Sequence, residues 1–139
     1  MSVSSKILHD CLATRVRRIN RIVTSIYDEA LRPYGLKISQ MNILVAAGTR
    51  SPARPAELAR ALDIDPSTLS RNLRILHRHG WIEFLEDSED ARAQPFHVTA
   101  AGCDLIDRAY PAWNEAQRKT EQALGPDVVE ALMKGFPAD

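Results

Sequence analysis

The sequence predicts a mainly α-helical protein that carries one small β-hairpin. Three observations predict this: two short helices joined by a tight turn, a pair of short strands after them, and long apolar stripes near both ends of the chain. The chain has 139 residues, of which 45% are hydrophobic, and this is typical of one compact domain. We therefore expect a single domain over residues 1–139.

The two short helices lie in the middle of the chain. The first, Pro55–Leu62, opens with proline at a position where a missing N–H costs nothing. Asp65 and Pro66 then predict a second helix, because a carboxylate can accept hydrogen bonds from the free N–H groups at a helix start. The apolar positions of this second helix follow helical spacing at Leu69, Leu73 and Leu76.

The second helix also carries small hydroxyl residues and arginines, at Ser67, Thr68, Ser70, Arg71 and Arg74. A helix that enters the major groove of DNA needs short polar residues near its N-terminus and arginines that pair with guanine or phosphate. We therefore predict that these five residues contact DNA. The alternative is that the hydroxyl groups fill the first helical turn and the arginines form a solvated face.

A β-hairpin is predicted directly after these helices. Gly80 is expected to end the second helix, and Trp81–Glu86 and Phe96–Thr99 are rich in aromatic and branched residues. Pro95 stands where an edge strand tolerates proline. Two helices followed by such a hairpin have the order of a winged helix-turn-helix, in which the hairpin is the wing.

A further pattern joins the wing to the helix that follows it. Asp90, Ala91 and Arg92 precede Thr99 and Gly102, and other characteristic segments are Ser39–Gln40, Ala56–Leu62 and Ser67–Arg71. With these residues the chain resembles the MarR family of transcriptional regulators, from about Ile7 to Phe136. The resemblance implies a DNA-binding regulator, which we expect to be a repressor, and it assigns no cofactor.

The resemblance also implies that Asp90 and Arg92 form an ion pair that shapes the wing, and that Arg92 reaches DNA. The wing departs from the family pattern, because an acidic run over residues 86–90 surrounds this pair and Arg92 is the one basic residue there. Carboxylates near a phosphate backbone oppose binding. We therefore expect the second helix, which would be the recognition helix, to contribute more to DNA affinity than the wing.

Long helices are predicted at both ends, over residues 6–31 and 100–136, with residues 38–99 as the winged-helix lobe between them. The N-terminal stripe predicts one helix of about seven turns. The C-terminal stripe is interrupted by Pro111, and a final helix follows over Pro126–Phe136. Such apolar surface is most easily buried against a second copy, and the resemblance implies a homodimer that reads a pseudopalindromic operator in double-stranded DNA.

The charge is uneven, although the chain is neutral overall. Residues 1–49 carry +4 and residues 50–82 carry +3, whereas 83–92 carry −4 and 100–139 carry −3. Neutrality therefore does not exclude a positive DNA-binding surface. A basic cluster on the first helix brackets its apolar stripe, which is typical of solvated helix edges: Arg15, Arg17, Arg18 and Arg21. The sequence shows no membrane span and no signal peptide, so we expect a cytoplasmic protein.

The resemblance implies that an effector, commonly a small aromatic molecule, binds where the dimerisation helices meet the DNA-binding lobe. The candidate lining residues are Tyr27, Tyr34, Met41 and Trp113. Aromatic and methionine side chains on apolar helix faces are also typical core residues. Both interpretations stay open at this point.

Two cysteines allow a different kind of regulation. A subset of the MarR family senses organic peroxides through a cysteine in the first helix, and Cys11 lies near the start of that helix, close to His9 and Arg15. The alternative is that Cys11 is an inert residue of the apolar stripe. Cys103 is interpreted as a structural residue.

Other function classes have less support. His77 and His79 point to different helix faces, so neither they nor His9 with Cys11 supply the converging ligands of a metal site. No phosphate-binding loop, nucleophile elbow or catalytic carboxylate pair is present, which argues against an enzyme. A winged-helix module that binds another protein remains the alternative to a DNA-binding regulator.

Overall fold

The structure is a computed structural model of the chain, and it describes residues 1–85 and 93–138. It is mainly helical with one two-stranded sheet, as the sequence predicts. The elements are α1 (Val3–Asp10), α2 (Leu12–Leu31), α3 (Ile38–Gly48), α4 (Pro55–Ala61), α5 (Pro66–Arg78), β1 (Ile82–Phe84), β2 (Phe96–Val98), α6 (Ala100–Leu124) and α7 (Pro126–Gly135). A 3-10 turn, Arg32–Tyr34, joins α2 to the segment before α3.

The helix pair α4 and α5 forms as predicted. Asp65 is the N-cap of α5, and its carboxylate accepts hydrogen bonds from the backbone N–H groups of Ser67 at 3.0 Å and Thr68 at 3.4 Å. Gly80 follows the end of this helix with φ 77°, a left-handed conformation that glycine adopts at little cost. The start and the end of the recognition helix were therefore both predictable from local chemistry.

The hairpin pairs β1 with β2 in an antiparallel register that sets Ile82 opposite Val98 and Phe84 opposite Phe96. Both strands are shorter than predicted. Ala53, which precedes α4, adds a bridge to Phe96 through two backbone hydrogen bonds of 2.8 and 3.0 Å. The hairpin is thus fixed to the helix pair. The predicted ion pair of Asp90 and Arg92 lies outside the described residues.

The N-terminal prediction of one continuous helix is wrong. Cys11 has extended backbone angles, φ −69° and ψ 114°, and separates α1 from α2. No side chain of α1 is buried against the rest of the chain. α1 therefore contributes no buried side chain to the core of a single chain.

The C-terminal half of the chain also differs from the prediction, at Pro111. Pro111 does not interrupt α6, which runs without a break from Ala100 to Leu124. A proline inside a helix removes one backbone hydrogen bond, and packing of the apolar stripe can offset that cost. Ala109 and Ala116 are fully buried on either side of the proline, so the helix is held in place by its contacts.

The helix α3 was not predicted from the pattern, because apolar residues occupy most of its sides. Ile43, Leu44 and Ala47 are fully buried in the core that α3 shares with α2, α5, α6 and the hairpin. Asp28 of α2 caps its start, accepting a hydrogen bond from the N–H of Ile38 at 2.8 Å. Within the described residues no helix is long and apolar enough to span a membrane.

Candidate nucleic-acid interface

The start of α5 carries a small network of polar side chains. The carboxylate of Asp65 accepts a hydrogen bond from the hydroxyl of Ser67, in addition to the two backbone N–H groups that it caps. The Thr68 hydroxyl lies 3.2 Å from Nη2 of Arg71, which donates to it. These contacts connect Asp65, which precedes the helix, to the hydroxyl of Ser67 in the first turn. They also connect the hydroxyl of Thr68 to Arg71 in the next turn.

The environment of Asp65 keeps this residue ionised. The hydrogen bond from the Ser67 side chain is the largest cause that lowers the pKa of Asp65 below its usual value, followed by the two backbone N–H groups. The nearby charge of Arg71 acts in the same direction. The negative charge also lies at the helix N-terminus, where the helix dipole favours it.

Arginines continue the polar surface along α5. Arg71, Arg74 and Arg78 are exposed and spaced by three and four residues, which places them on one face of the helix. Neither Arg74 nor Arg78 has an ion-pair partner among residues 1–85 and 93–138. Arg78 was not among the predicted contacts, although its spacing from Arg71 and Arg74 was a sufficient signal.

Ser70 does not belong to the exposed face, and its prediction as a DNA contact is corrected here. Ser70 is 5% exposed and lies toward α4, where it lines a cavity of about 560 Å³ with Ala59 and Leu69. The reason is its spacing from Leu73, because a residue three positions earlier lies on the same side of a helix. The candidate contacts that remain are therefore Ser67 and Thr68, which are half-buried, and Arg71 and Arg74, which are exposed.

The base of the wing is packed against the end of α5. The rings of His79 and Trp81 are stacked, with centroids 4.2 Å apart and an interplanar angle of 9°. On the hairpin, Nε2 of His97 lies 3.5 Å from a carboxylate oxygen of Glu83. Arg92, the wing residue predicted to reach DNA, lies outside the described residues.

The terminal helices leave many apolar side chains uncovered. On α1 and α2 the exposed fraction is 68% for Leu8, 76% for Leu12 and 64% for Val16. On α7 and just after it, Met133 is 68% exposed and Phe136 is 80% exposed. A single chain therefore does not bury the two stripes that the sequence analysis assigned to dimerisation.

The four candidate effector residues lie in or against the core. Met41 is buried, Tyr34 and Trp113 are half-buried against the core, and the Tyr27 hydroxyl donates a hydrogen bond to Gln117. Burial is the largest cause that raises the pKa of Tyr27. Four surface cavities of the described residues, of about 470 to 650 Å³, are lined by other side chains.

The two cysteines have different surroundings. Cys11 is half-buried at the break between α1 and α2, and a hydrogen bond with the Thr14 side chain is the largest cause that lowers the pKa of its thiol. Arg15, which with His9 forms the basic setting predicted from the sequence, contributes least to that shift. The interpretation of Cys103 as a structural residue is wrong, because it is exposed on the first turn of α6, opposite the buried Gly102 and Leu105.

The basic cluster of α2 is exposed. Arg17, Arg18 and Arg21 extend into solvent, and Arg15 donates a hydrogen bond to the backbone carbonyl of Cys11 at 3.0 Å. No group of three or more metal-ligating side chains occurs within the part of the chain that the structure describes.

Comparison with known proteins finds similarity to one family. The model of the MarR family matches residues 36–93, which include α3, α4, α5 and β1. Multiple antibiotic resistance protein MarR of Escherichia coli is 24% identical over 128 residues, which are 92% of this chain and 81% of that protein. The resemblance of the chain to the MarR family, predicted from its sequence, is therefore confirmed.

Solved structures of other proteins share the fold of this chain. The M. tuberculosis transcriptional regulator MosR in complex with DNA is 28% identical, with a TM-score of 0.75 over 91% of this chain and 93% of that one. A mutant MarR of Escherichia coli, complexed with operator DNA, is 22% identical, with a TM-score of 0.79 over 99% of this chain and 100% of that one. The winged helix-turn-helix fold is therefore confirmed.

Proposed function

We propose that this protein is a sequence-specific DNA-binding transcriptional regulator of the MarR type, which represses genes from a pseudopalindromic operator. The observation that carries the proposal is the polar and basic face of α5, which combines the half-buried Ser67 and Thr68 at the N-terminus with the exposed Arg71, Arg74 and Arg78 along the helix. Hydroxyl groups and arginines at these places can contact base edges and phosphates. The related MosR structure, solved with DNA, supports the same assignment.

The acting species in this proposal is a homodimer. The exposed apolar side chains of α1, α2 and α7 supply a surface that a second copy could cover. Two recognition helices in one particle would bind two half-sites together, and this multiplies their affinities. The domain assignment follows from this, with residues 6–31 and 100–136 as dimerisation helices and 38–99 as the DNA-binding lobe. We place this DNA-binding regulator in the cytoplasm, since its operator DNA would lie there.

In the main form of the proposal a small aromatic effector releases the repressor. It would bind near Tyr27, Tyr34, Met41 and Trp113, where α2, α3 and α6 meet. An effector that entered this core would change the packing between the dimerisation helices and the lobe, and thereby the spacing of the two recognition helices.

A second candidate mechanism uses the thiol of Cys11. Its lowered pKa increases the thiolate fraction at neutral pH, and its place at the break between α1 and α2 couples it to the N-terminal stripe. A hydroperoxide would transfer its outer oxygen to the thiolate, the O–O bond would break, and an alcohol would leave with the formation of a sulfenic acid. This change next to a dimerisation surface could alter operator binding.

The experiment that tests the function is a titration of the protein with duplex DNA from upstream of its own gene, against a shuffled duplex. It is done at two salt concentrations, before and after hydroperoxide treatment, with Cys11→Ser as the control variant. Tight binding that weakens steeply with salt and prefers the native duplex supports the regulator. Loss of binding on oxidation in the wild type alone supports the thiol mechanism. Binding to neither duplex contradicts the proposal and favours a protein-interaction module.

A further inference from the structure

The two hydroxyl groups at the start of α5 have partners with opposite hydrogen-bonding capacity. Ser67 Oγ contacts Oδ2 of Asp65, whereas Thr68 Oγ1 contacts Nη2 of Arg71 at 3.2 Å. An ionised carboxylate can only accept hydrogen bonds, and a guanidinium can only donate them. The proton of Ser67 is therefore committed to Asp65, whereas Thr68 accepts from Arg71 and keeps its own proton free.

The first of these assignments requires Asp65 to be ionised. The same carboxylate oxygen accepts from the N–H groups of Ser67 and Thr68, and these donors favour the charged form. The pKa of Asp65 lies below its usual value for the same reason. At neutral pH the outward side of Ser67 Oγ consequently presents lone pairs and no proton.

We propose that Ser67 is a specificity-determining residue, which accepts a hydrogen bond from the exocyclic amino group of an adenine or a cytosine in the operator. The inference rests on the proposed DNA-binding function. In the major groove the amino groups of adenine and cytosine are the hydrogen-bond donors, whereas guanine and thymine present oxygen or nitrogen acceptors. A guanine or thymine opposite Ser67 would set lone pairs against lone pairs.

Thr68 provides an internal contrast. Because Arg71 donates to its oxygen, the Thr68 proton points away from that contact and suits an acceptor, either a base oxygen or a phosphate. The two adjacent hydroxyl groups thus differ in polarity, although serine and threonine have the same hydrogen-bonding inventory. The side chain of Asp65, which lies outside the helix, sets this difference.

The test is a selection of binding sites from a random duplex pool, in which the base preference at each position is measured by sequencing. The wild type is compared with Ser67→Ala, Asp65→Gly and Asp65→Asn. Glycine at an N-cap destabilises a helix only slightly but leaves the Ser67 proton free, whereas asparagine keeps an accepting oxygen at the same place. Circular dichroism and thermal unfolding of each variant verify the fold.

The wild type is expected to favour adenine or cytosine over guanine and thymine at one position per half-site, by about threefold to tenfold, as one hydrogen bond allows. Ser67→Ala should remove the preference at that position alone. Asp65→Gly should allow guanine and thymine at this position as well, whereas Asp65→Asn should retain the preference for adenine or cytosine.

Three results would overturn the inference while the proposed function stands. They are a selected site whose profile Ser67→Ala leaves unchanged, a Ser67-dependent position that prefers guanine or thymine, and an unaltered preference in Asp65→Gly. Failure of the folded wild-type protein to select any sequence would overturn both the inference and the proposed function.

Discussion

The hydroxyl of Thr99 donates a hydrogen bond to the backbone carbonyl of Gly80 at 2.6 Å. The same oxygen accepts from the N–H of Gly102 at 3.1 Å and so caps α6. Gly80 follows the recognition helix, and Gly102 lies in the first turn of a helix that we assign to dimerisation. One side chain therefore connects the end of α5 to the start of α6.

Replacing Thr99 by valine should lower the free energy of unfolding by about 1–2 kcal/mol, because the N-cap bond and the bond to Gly80 are both lost. Thr99→Ser keeps the hydroxyl and should lie much closer to the wild type. Urea unfolding monitored by circular dichroism measures both. A loss in Thr99→Ser without a loss in Thr99→Val would show that the methyl group, and not the hydroxyl, stabilises this junction.

Gly102 should not tolerate a side chain. A Cβ atom at this position would lie 2.3 Å from the carbonyl oxygen of Trp81 and 2.7 Å from Cγ1 of Val98. Gly102→Ala is expected to destabilise the protein by about 1–3 kcal/mol, as overpacking does. Gly48→Ala is the matched control, because nothing lies within 4 Å of the added atom. Differential scanning calorimetry should show a lower midpoint for the first variant and no decrease for the second.

Asp28 should stabilise the joint between α2 and α3. Its carboxylate accepts from the N–H of Ile38 at 2.8 Å, so Asp28→Ala leaves a donor at the start of α3 without this partner. We expect a loss of about 1 kcal/mol in the free energy of unfolding. Asp28→Asn retains an acceptor and should recover most of it. Unfolding by urea gives both values, and an Asn variant as unstable as the Ala variant would contradict this explanation.

The proposed dimer can be tested through Leu12, which is 76% exposed in a single chain. Leu12→Glu should leave the fold of one chain intact but shift the protein from dimer to monomer, because a carboxylate would be buried in the interface. Arg17→Glu is the control, since it changes a residue that we assign to a solvated helix edge. Sedimentation velocity measures the outcome. A dimer that persists in Leu12→Glu would exclude Leu12 from the interface.

The recognition helix was predictable because its signals are local. Asp65 with Pro66 marks its start and Gly80 its end, and each feature satisfies or terminates backbone hydrogen bonds within a few residues. The hairpin was predictable for the same reason, because the aromatic and branched residues that indicate its strands lie within the strands themselves. By contrast, α3 has apolar residues on most sides, so no stripe distinguishes it, and its cap comes from Asp28 ten positions earlier.

The other differences from prediction concern three positions at which the apolar pattern alone was not a sufficient guide. Ser70 is small and polar, but its position relative to Leu73 turns it toward α4. The break at Cys11 leaves no mark in the apolar spacing, because Leu8 and Leu12 continue the stripe across it. Pro111 is tolerated because buried alanines on both sides hold α6 against the core.

The central claim is that the exposed arginine face of α5 binds operator DNA, and Arg71 tests it most directly. A duplex selected by the wild-type protein is titrated with the wild type, Arg71→Ala and the control Arg108→Ala, whose side chain is paired with Asp104 at 2.8 Å on α6. We predict a loss of about 1–3 kcal/mol in binding free energy for Arg71→Ala, with an unchanged unfolding midpoint, and binding close to the wild type for Arg108→Ala. Undiminished binding by folded Arg71→Ala would contradict the account.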